Sequence, residues 1–171
     1  MRILIATDAW HPQVNGVVRT LTSLARSAQA LDADIDFLTP DGFPSVAVPT
    51  YPGLRMALPN RREIARRIEA AAPDAIHSAT EGPVGWAVRA YCRRRNLAFT
   101  TSYTTRFPEY VEVRTMIPAG VGYALLRHFH GASSMIMVAT DSLRQELGER
   151  GFRKLGFWTR GVDTELFNPD S

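Results

Sequence analysis

Three stretches of the chain concentrate residue types that can do chemistry. The first is Asp8-Ala9-Trp10-His11-Pro12-Gln13-Val14-Asn15-Gly16. Asn15-Gly16 stands directly before a helical pattern, and the free N–H groups and positive dipole of a helix start favour an anion. A glycine there lets a diphosphate come close to the backbone; the alternative is that Gly16 merely makes the turn. The second stretch is Ser78-Ala79-Thr80-Glu81-Gly82-Pro83-Val84-Gly85, with a carboxylate just ahead of a helix start, suited either to a ligand or to capping that helix. The third, residues 100–110, gathers Thr100, Thr101, Ser102, Tyr103, Thr104 and Thr105 beside Arg106 and Glu109. Hydroxyls next to a charged pair suit a sugar or polyol.

Other chemistries find little support. A dinucleotide fold needs three spaced glycines after its first strand, and residues 8–16 contain one. No GxxxxGK phosphate loop occurs. The histidines are scattered: His11 lies in a ligand-side loop, His77 ends a strand, and His128 and His130 sit near a helix end where a cation is favourable. This scatter does not make a metal site, no metal or resident cofactor is expected, and no Ser-His-Asp or Cys-His arrangement is legible.

Those stretches must be held by something, and the pattern around them is regular. Apolar runs at residues 3–7, 35–38, 75–77, 98–102, 135–139 and 155–158 read as strands. Val17, Val18, Leu21, Leu24, Ala25 and Ala28 recur at helical spacing, and Ile64, Ile68, Ala71 and Ala72 do so after Asn60, a plausible N-cap, with Pro73 as the stop. Pro83 opens the next helix, residues 118–130 form another, and Asp141 is expected to cap the helix of residues 143–148. The proline-rich stretch 42–59 reads as loop with one short strand near residues 46–48. Alternation of this kind predicts an α/β, Rossmann-like, doubly wound and mainly parallel sheet with helices on both faces, residues 1–171 forming a single domain. Ligands then bind beyond the carboxyl ends of the strands, where the three stretches lie.

Composition agrees with a soluble globular class: 45% hydrophobic and 22% charged residues over 171 positions. A formal charge of +3 favours anionic ligands or acidic headgroups and is too weak to argue for nucleic acid. One cysteine, Cys92, excludes an internal disulfide and suits a reducing cytoplasm. The apolar run at the N-terminus is too short for a signal peptide or a membrane span.

Taken in order, the run at residues 3–7, Pro12, Asn15-Gly16-Val17, Thr80-Glu81-Gly82-Pro83, Thr101-Ser102-Tyr103-Thr104-Thr105-Arg106-Phe107-Pro108-Glu109-Tyr110, Trp158-Thr159-Arg160-Gly161-Val162-Asp163 and Phe167 resemble the N-terminal domain of glycosyltransferase family 4. More narrowly, the pattern is similar to the lipid-directed mannosyl-, glucosyl- and sulfoquinovosyl-transferases, over essentially the whole chain. The resemblance implies one half of a GT-B enzyme that retains anomeric configuration, with an acceptor-side domain here and a nucleotide-sugar domain beyond it. It implies donor-diphosphate contact at Asn15 and Gly16, and an acceptor pocket from His11, Glu81, Tyr103, Thr104 and Arg106. Relatives carry a histidine where this chain has Thr104, which can hydrogen-bond a sugar but cannot titrate near neutral pH. The resemblance further implies that the C-terminal donor domain is absent, so the chain alone is expected to be inactive. Partners would be a nucleotide-diphosphate sugar, a lipid or glycan acceptor and the donor domain.

A membrane contact is also expected from Arg61, Arg62, Arg66 and Arg67, which surround the small apolar stripe of their helix and could meet anionic headgroups at the inner face of the cytoplasmic membrane. Glu63 and Glu69 dilute that charge, and a solvated outer face of a core helix explains the same pattern. Two other readings stay open: a stand-alone binding module for a membrane or partner protein, and a Rossmann-type oxidoreductase or epimerase, which the single-glycine loop disfavours.

Overall fold

A computed structural model of the chain describes residues 1–13, 15–48, 55–105, 108, 116, 118–159 and 161. Six strands form one parallel sheet: β1 (Arg2–Ala6), β2 (Asp34–Leu38), β5 (Ala75–Ser78), β6 (Thr100–Ser102), β7 (Met135–Val138) and β8 (Leu155–Phe157), in the order β2-β1-β5-β6-β7-β8. Among the described residues five helices connect them: α1 (Gly16–Gln29), α2 (Arg61–Ala71), α3 (Pro83–Arg95), α4 (Ala119–His130) and α5 (Asp141–Glu149). The expected Rossmann-like doubly wound architecture is the one observed. The order reverses between β1 and β5, which makes that seam the switch point at which an open α/β sheet presents its ligand crevice.

Strand parity assigns the faces. In β1, Leu4 and Ala6 join Ile64 and Ile68 of α2 and Val84, Val88 and Cys92 of α3 in one core. Ile5 points the other way, onto Leu21, Val17 and Leu24 of α1. The register Ala6↔Ser78, Ser78↔Thr101, Thr101↔Ile136 carries the α2–α3 face across to β7, where Ile136 and Val138 pack with Tyr123 and Leu126 of α4 and Leu147 of α5. Thus α1 lies on one face and α2, α3, α4 and α5 on the opposite one. Met135 and Met137 occupy the α1 side of β7, and Met135 is exposed.

Two local expectations are corrected. Residues 42–59 hold an antiparallel hairpin, β3 (Ser45–Ala47) with β4 (Arg55–Ala57), instead of one strand. The Arg55 guanidinium closes it by donating to Ser45 Oγ and to the Ser45 carbonyl, both at 2.8 Å, while Ala57 is buried in the α2–α3 core. The cap of α5 is Thr140, whose Oγ1 accepts from the Leu143 N–H at 3.2 Å; Asp141 is the first helical residue and pairs with Arg144. Asn60 does cap α2, accepting from the Glu63 N–H at 2.9 Å.

Candidate functional site

The loops that follow β1 and β5 start side by side at the switch point, and Asp8 ties them together. Its backbone N–H donates to Thr80 Oγ1 at 2.7 Å, and the Thr80 hydroxyl donates back to Asp8 Oδ2 at 2.9 Å. The same carboxylate receives the first free N–H groups of α3, from Val84 at 2.7 Å and Gly85 at 3.2 Å. Asp8, reached from 76 residues earlier in the chain, therefore caps α3 in place of a local side chain. Two glycines make the approach possible. A Cβ on Gly82 would overlap the Asp8 carboxylate, and one on Gly85 would overlap the Thr80 carbonyl. Burial raises the Asp8 carboxyl above its usual range despite these donors, and the nearby Glu81 charge adds to the rise.

With that cap filled, Glu81 is free to turn elsewhere. Its Oε1 lies 3.1 Å from His130 Nε2, and the other imidazole nitrogen is 2.8 Å from Thr101 Oγ1. The Tyr103 ring is buried 6.0 Å from the imidazole, centroid to centroid. Glu81 and Tyr103 thus belong together, on the α3–α4 side of the sheet.

Thr104 belongs to the other side. It lines a shallow cleft with Val17 and Thr20 of α1, Ala79, Ser102 and Trp158. Asn15 stands at the head of α1, with Oδ1 accepting from the Val17 and Val18 N–H groups at 3.0 Å each. Its side chain serves its own helix. Gly16 adjoins open space: an added Cβ would meet no other atom within 4 Å. His11 is exposed and edge-on to Trp10, which packs on Phe37. Arg106 lies outside the described residues.

Behind the cleft, His77 is buried with Nδ1 at 2.8 Å from Thr100 Oγ1 and Nε2 at 3.2 Å from Ser102 Oγ, and Trp158 stands edge-on to it. Burial pushes this imidazole down to about 4, so it is neutral at physiological pH. It is a satisfied core residue.

On α2, Arg66 and Arg67 both chelate Glu63, at 2.6 and 2.7 Å, and Arg67 also donates to the Asp41 carbonyl and covers the Phe43 ring. Those two guanidiniums draw the Glu63 carboxyl down to about 2. Arg61 and Arg62 are exposed, with no partner among the described residues.

Sequence reasoning missed Asp8 and Thr80 as a latch and His130 as the partner of Glu81. A signal existed for the first: the spacing Gly82-Pro83-Val84-Gly85 leaves a helix start without a capping side chain and with two positions lacking a Cβ, which invites an acceptor from another loop. Nothing local ties His130 to Glu81, which is 49 residues away.

A doubly wound α/β unit with its polar residues gathered at the switch point defines a ligand-binding class of wide use. The chain matches the family model described as Glycosyltransferase Family 4 over residues 14–166, and it belongs to that family. It is 26% identical to a GDP-mannose-dependent alpha-mannosyltransferase of Mycobacterium tuberculosis, over 100% of this chain and 50% of the relative. A sulfoquinovosyl transferase of Arabidopsis thaliana is 26% identical over 75% of this chain and 26% of its own. Among solved structures, sucrose-phosphate synthase from Thermosynechococcus elongatus superposes with a TM-score of 0.65 at 12% identity, over 95% of this chain and 49% of the synthase, a likeness of fold. The chain spans about half the length of the mannosyltransferase.

Proposed function

We propose that this chain is the acceptor-side half of a retaining glycosyltransferase, which passes a sugar from a nucleotide-diphosphate donor to a hydroxyl of a lipid or glycan. The observation that carries this reading is the family 4 match over residues 14–166, together with a β1–β5 switch point that has Gly16 and Thr104 on the α1 side of the sheet and Glu81 and Tyr103 on the α3–α4 side. In this reading Gly16 leaves room for the donor diphosphate at the positive end of α1, and Asn15 builds that helix end. The acceptor is assigned to His11, Glu81 and Thr104, with the buried Tyr103 ring behind Glu81 and with Arg106 taken from the family resemblance. Thr104 orients a hydroxyl and moves no proton, so stabilisation of the leaving diphosphate falls to a second domain, without which the chain does not turn over.

The test extends the chain through its natural downstream sequence and follows binding by calorimetry and transfer by product formation. GDP-mannose is the first donor, because a relative is named for it. The extended chain is expected to bind and turn over donor, and the 171-residue chain to do neither. Tight donor binding by the short chain would overturn the assignment of donor recognition to the second domain. Gly16→Leu in the extended chain is expected to lower transfer at least tenfold while changing stability by about 0.5 kcal/mol or less, since the new side chain enters open space. Transfer at the wild-type rate would remove Gly16 from the donor site.

A peripheral, cytoplasmic-leaflet placement completes the proposal. Val46 and Met56 face each other across the β3–β4 hairpin, and both are exposed together with Leu58, next to Arg61 and Arg62, which have no partner among the described residues. Arginine near an anionic surface contributes about 1 kcal/mol each. Vesicles with 30 mol% phosphatidylserine should therefore retain the chain in flotation, and Arg61→Glu/Arg62→Glu should release it (~30 mol% being a strongly anionic surface). Equal retention on neutral vesicles would refute the electrostatic contact.

A further inference from the structure

Two part-buried carboxylates meet at the switch point, and they differ in how they are used. Asp8 has both oxygens filled by α3 and Thr80. Glu81 has one oxygen on His130, and its other oxygen has no partner among the described residues. Its side chain keeps 15% of its surface exposed at the ligand end of β5, whereas the His130 side chain is fully enclosed.

The imidazole is held from behind. Nδ1 rests on Thr101 Oγ1 at 2.8 Å; Thr101 in turn lies 3.3 Å from Ser133 Oγ, whose hydroxyl donates at 2.7 Å to the carbonyl of His130 itself. Phe129 and Phe152 stand beside the ring at centroid distances of 5.0 and 6.1 Å. With its rear nitrogen bonded and its faces walled, the ring presents Nε2 to Glu81 in one direction. A side chain with three rotatable bonds is thereby fixed at one oxygen while the second stays open to solvent. Satisfying a buried histidine would need only some acceptor; it would not need one anchored at the mouth of the crevice.

We propose that His130 is a positioning residue, which holds Glu81 so that the open oxygen accepts hydrogen bonds from hydroxyls of a polyol acceptor. This rests on the acceptor-side reading above. His130 touches no substrate in this scheme, and its whole effect passes through Glu81.

The experiment uses the 171-residue chain, with octyl α-D-mannopyranoside as the hydroxyl-bearing probe, and reads the Glu81 side-chain carboxyl carbon by NMR alongside probe affinity. His130→Asn can keep the bond to Thr101 but cannot reach Glu81. It is expected to move the Glu81 resonance to that of an exposed glutamate such as Glu149 and to weaken the probe about tenfold, as charge-assisted hydrogen bonds of this kind would predict. His130→Gln can place an amide nitrogen where Nε2 stood, and is expected to restore both readouts to within about twofold. Glu81→Gln should weaken the probe as His130→Asn does, and the double variant should be no worse than either alone. If His130→Asn does not give a folded spectrum, Thr101→Val, which frees the rear of the imidazole, replaces it with the same expectation.

An unmoved Glu81 resonance in His130→Asn, or losses that add in the double variant, would overturn the positioning role. A Glu81→Gln chain that binds the probe like wild type, or a wild type that does not bind it, would instead count against the acceptor-side reading itself.

Discussion

Asp8→Ala is expected to destabilise the chain by about 3 kcal/mol, or roughly 9 °C in melting temperature. The carboxylate is the acceptor for three donors, the Val84 and Gly85 N–H groups and the Thr80 hydroxyl, and no neighbouring side chain takes over when it is cut back to a methyl. Each buried donor left without a partner costs about 1–3 kcal/mol. Part of that loss is offset, because burial makes the ionised Asp8 itself unfavourable, as its raised carboxyl shows. The donors win, three against one. Asp8→Asn keeps one acceptor oxygen and loses the buried charge, so its cost should be about half as large. Urea unfolding at pH 7 separates the three proteins; an Asp8→Ala midpoint equal to that of wild type would mean that the latch contributes nothing. The effect should also reach function, since Glu81 stands two residues before the helix that Asp8 caps.

Acidification should weaken the fold through His77. Its folded-state value of about 4 lies below the ordinary 6.5, so the folded protein favours the neutral ring. That contribution is complete above pH 6.5 and is lost as the pH falls towards 4, amounting to about 3 kcal/mol across the window. Asp8 acts with the opposite sign, because a raised carboxyl favours the protonated folded form and its stabilisation grows as the pH falls. Glu63 loses its stabilising ion pairs only below 4.5, towards 2. Urea midpoints at pH 7.0 and 4.5 (the latter roughly where the His77 loss is nearly complete) should therefore diverge in wild type and converge in His77→Gln, which cannot be protonated. The same drop in both proteins would assign acid sensitivity elsewhere.

Much of this architecture was legible in the residues because two-sided burial leaves a plain mark. β1, with Ile3, Leu4, Ile5 and Ala6 in unbroken succession, cannot be an edge or a hairpin strand. Asn60 and Pro83 punctuate α2 and α3 through local chemistry, and local chemistry can be read along a chain. β4 was illegible because Arg-Met-Ala has no alternation of its own; it is a strand by virtue of Ser45 and Val46 across from it. Asp141 looked like the cap because aspartate is a strong capping residue, yet Thr140 competes for the same role one position earlier and has the extended backbone the role requires. The site was harder. His130 reads as a cation at a helix terminus, a reading that fits any basic residue there, while its partners Glu81 and Thr101 come from the loop after β5 and from β6. Stretches rich in functional groups could be named from order and spacing. Which oxygen faces which nitrogen depends on the sheet that stacks those stretches, and strand order is not written in any one of them.

The seam between β1 and β5 also bears on how the chain reaches its native state. β1 meets β2 over 32 residues but meets β5 over 72, so the first pairing closes the smaller loop. During synthesis, β1, α1 and β2 can associate while the residues that will surround Asp8 are still to be made, leaving that carboxylate hydrated until α3 emerges. The crevice is accordingly among the last parts to assemble, and its completion records that the two halves of the sheet have joined in the correct order.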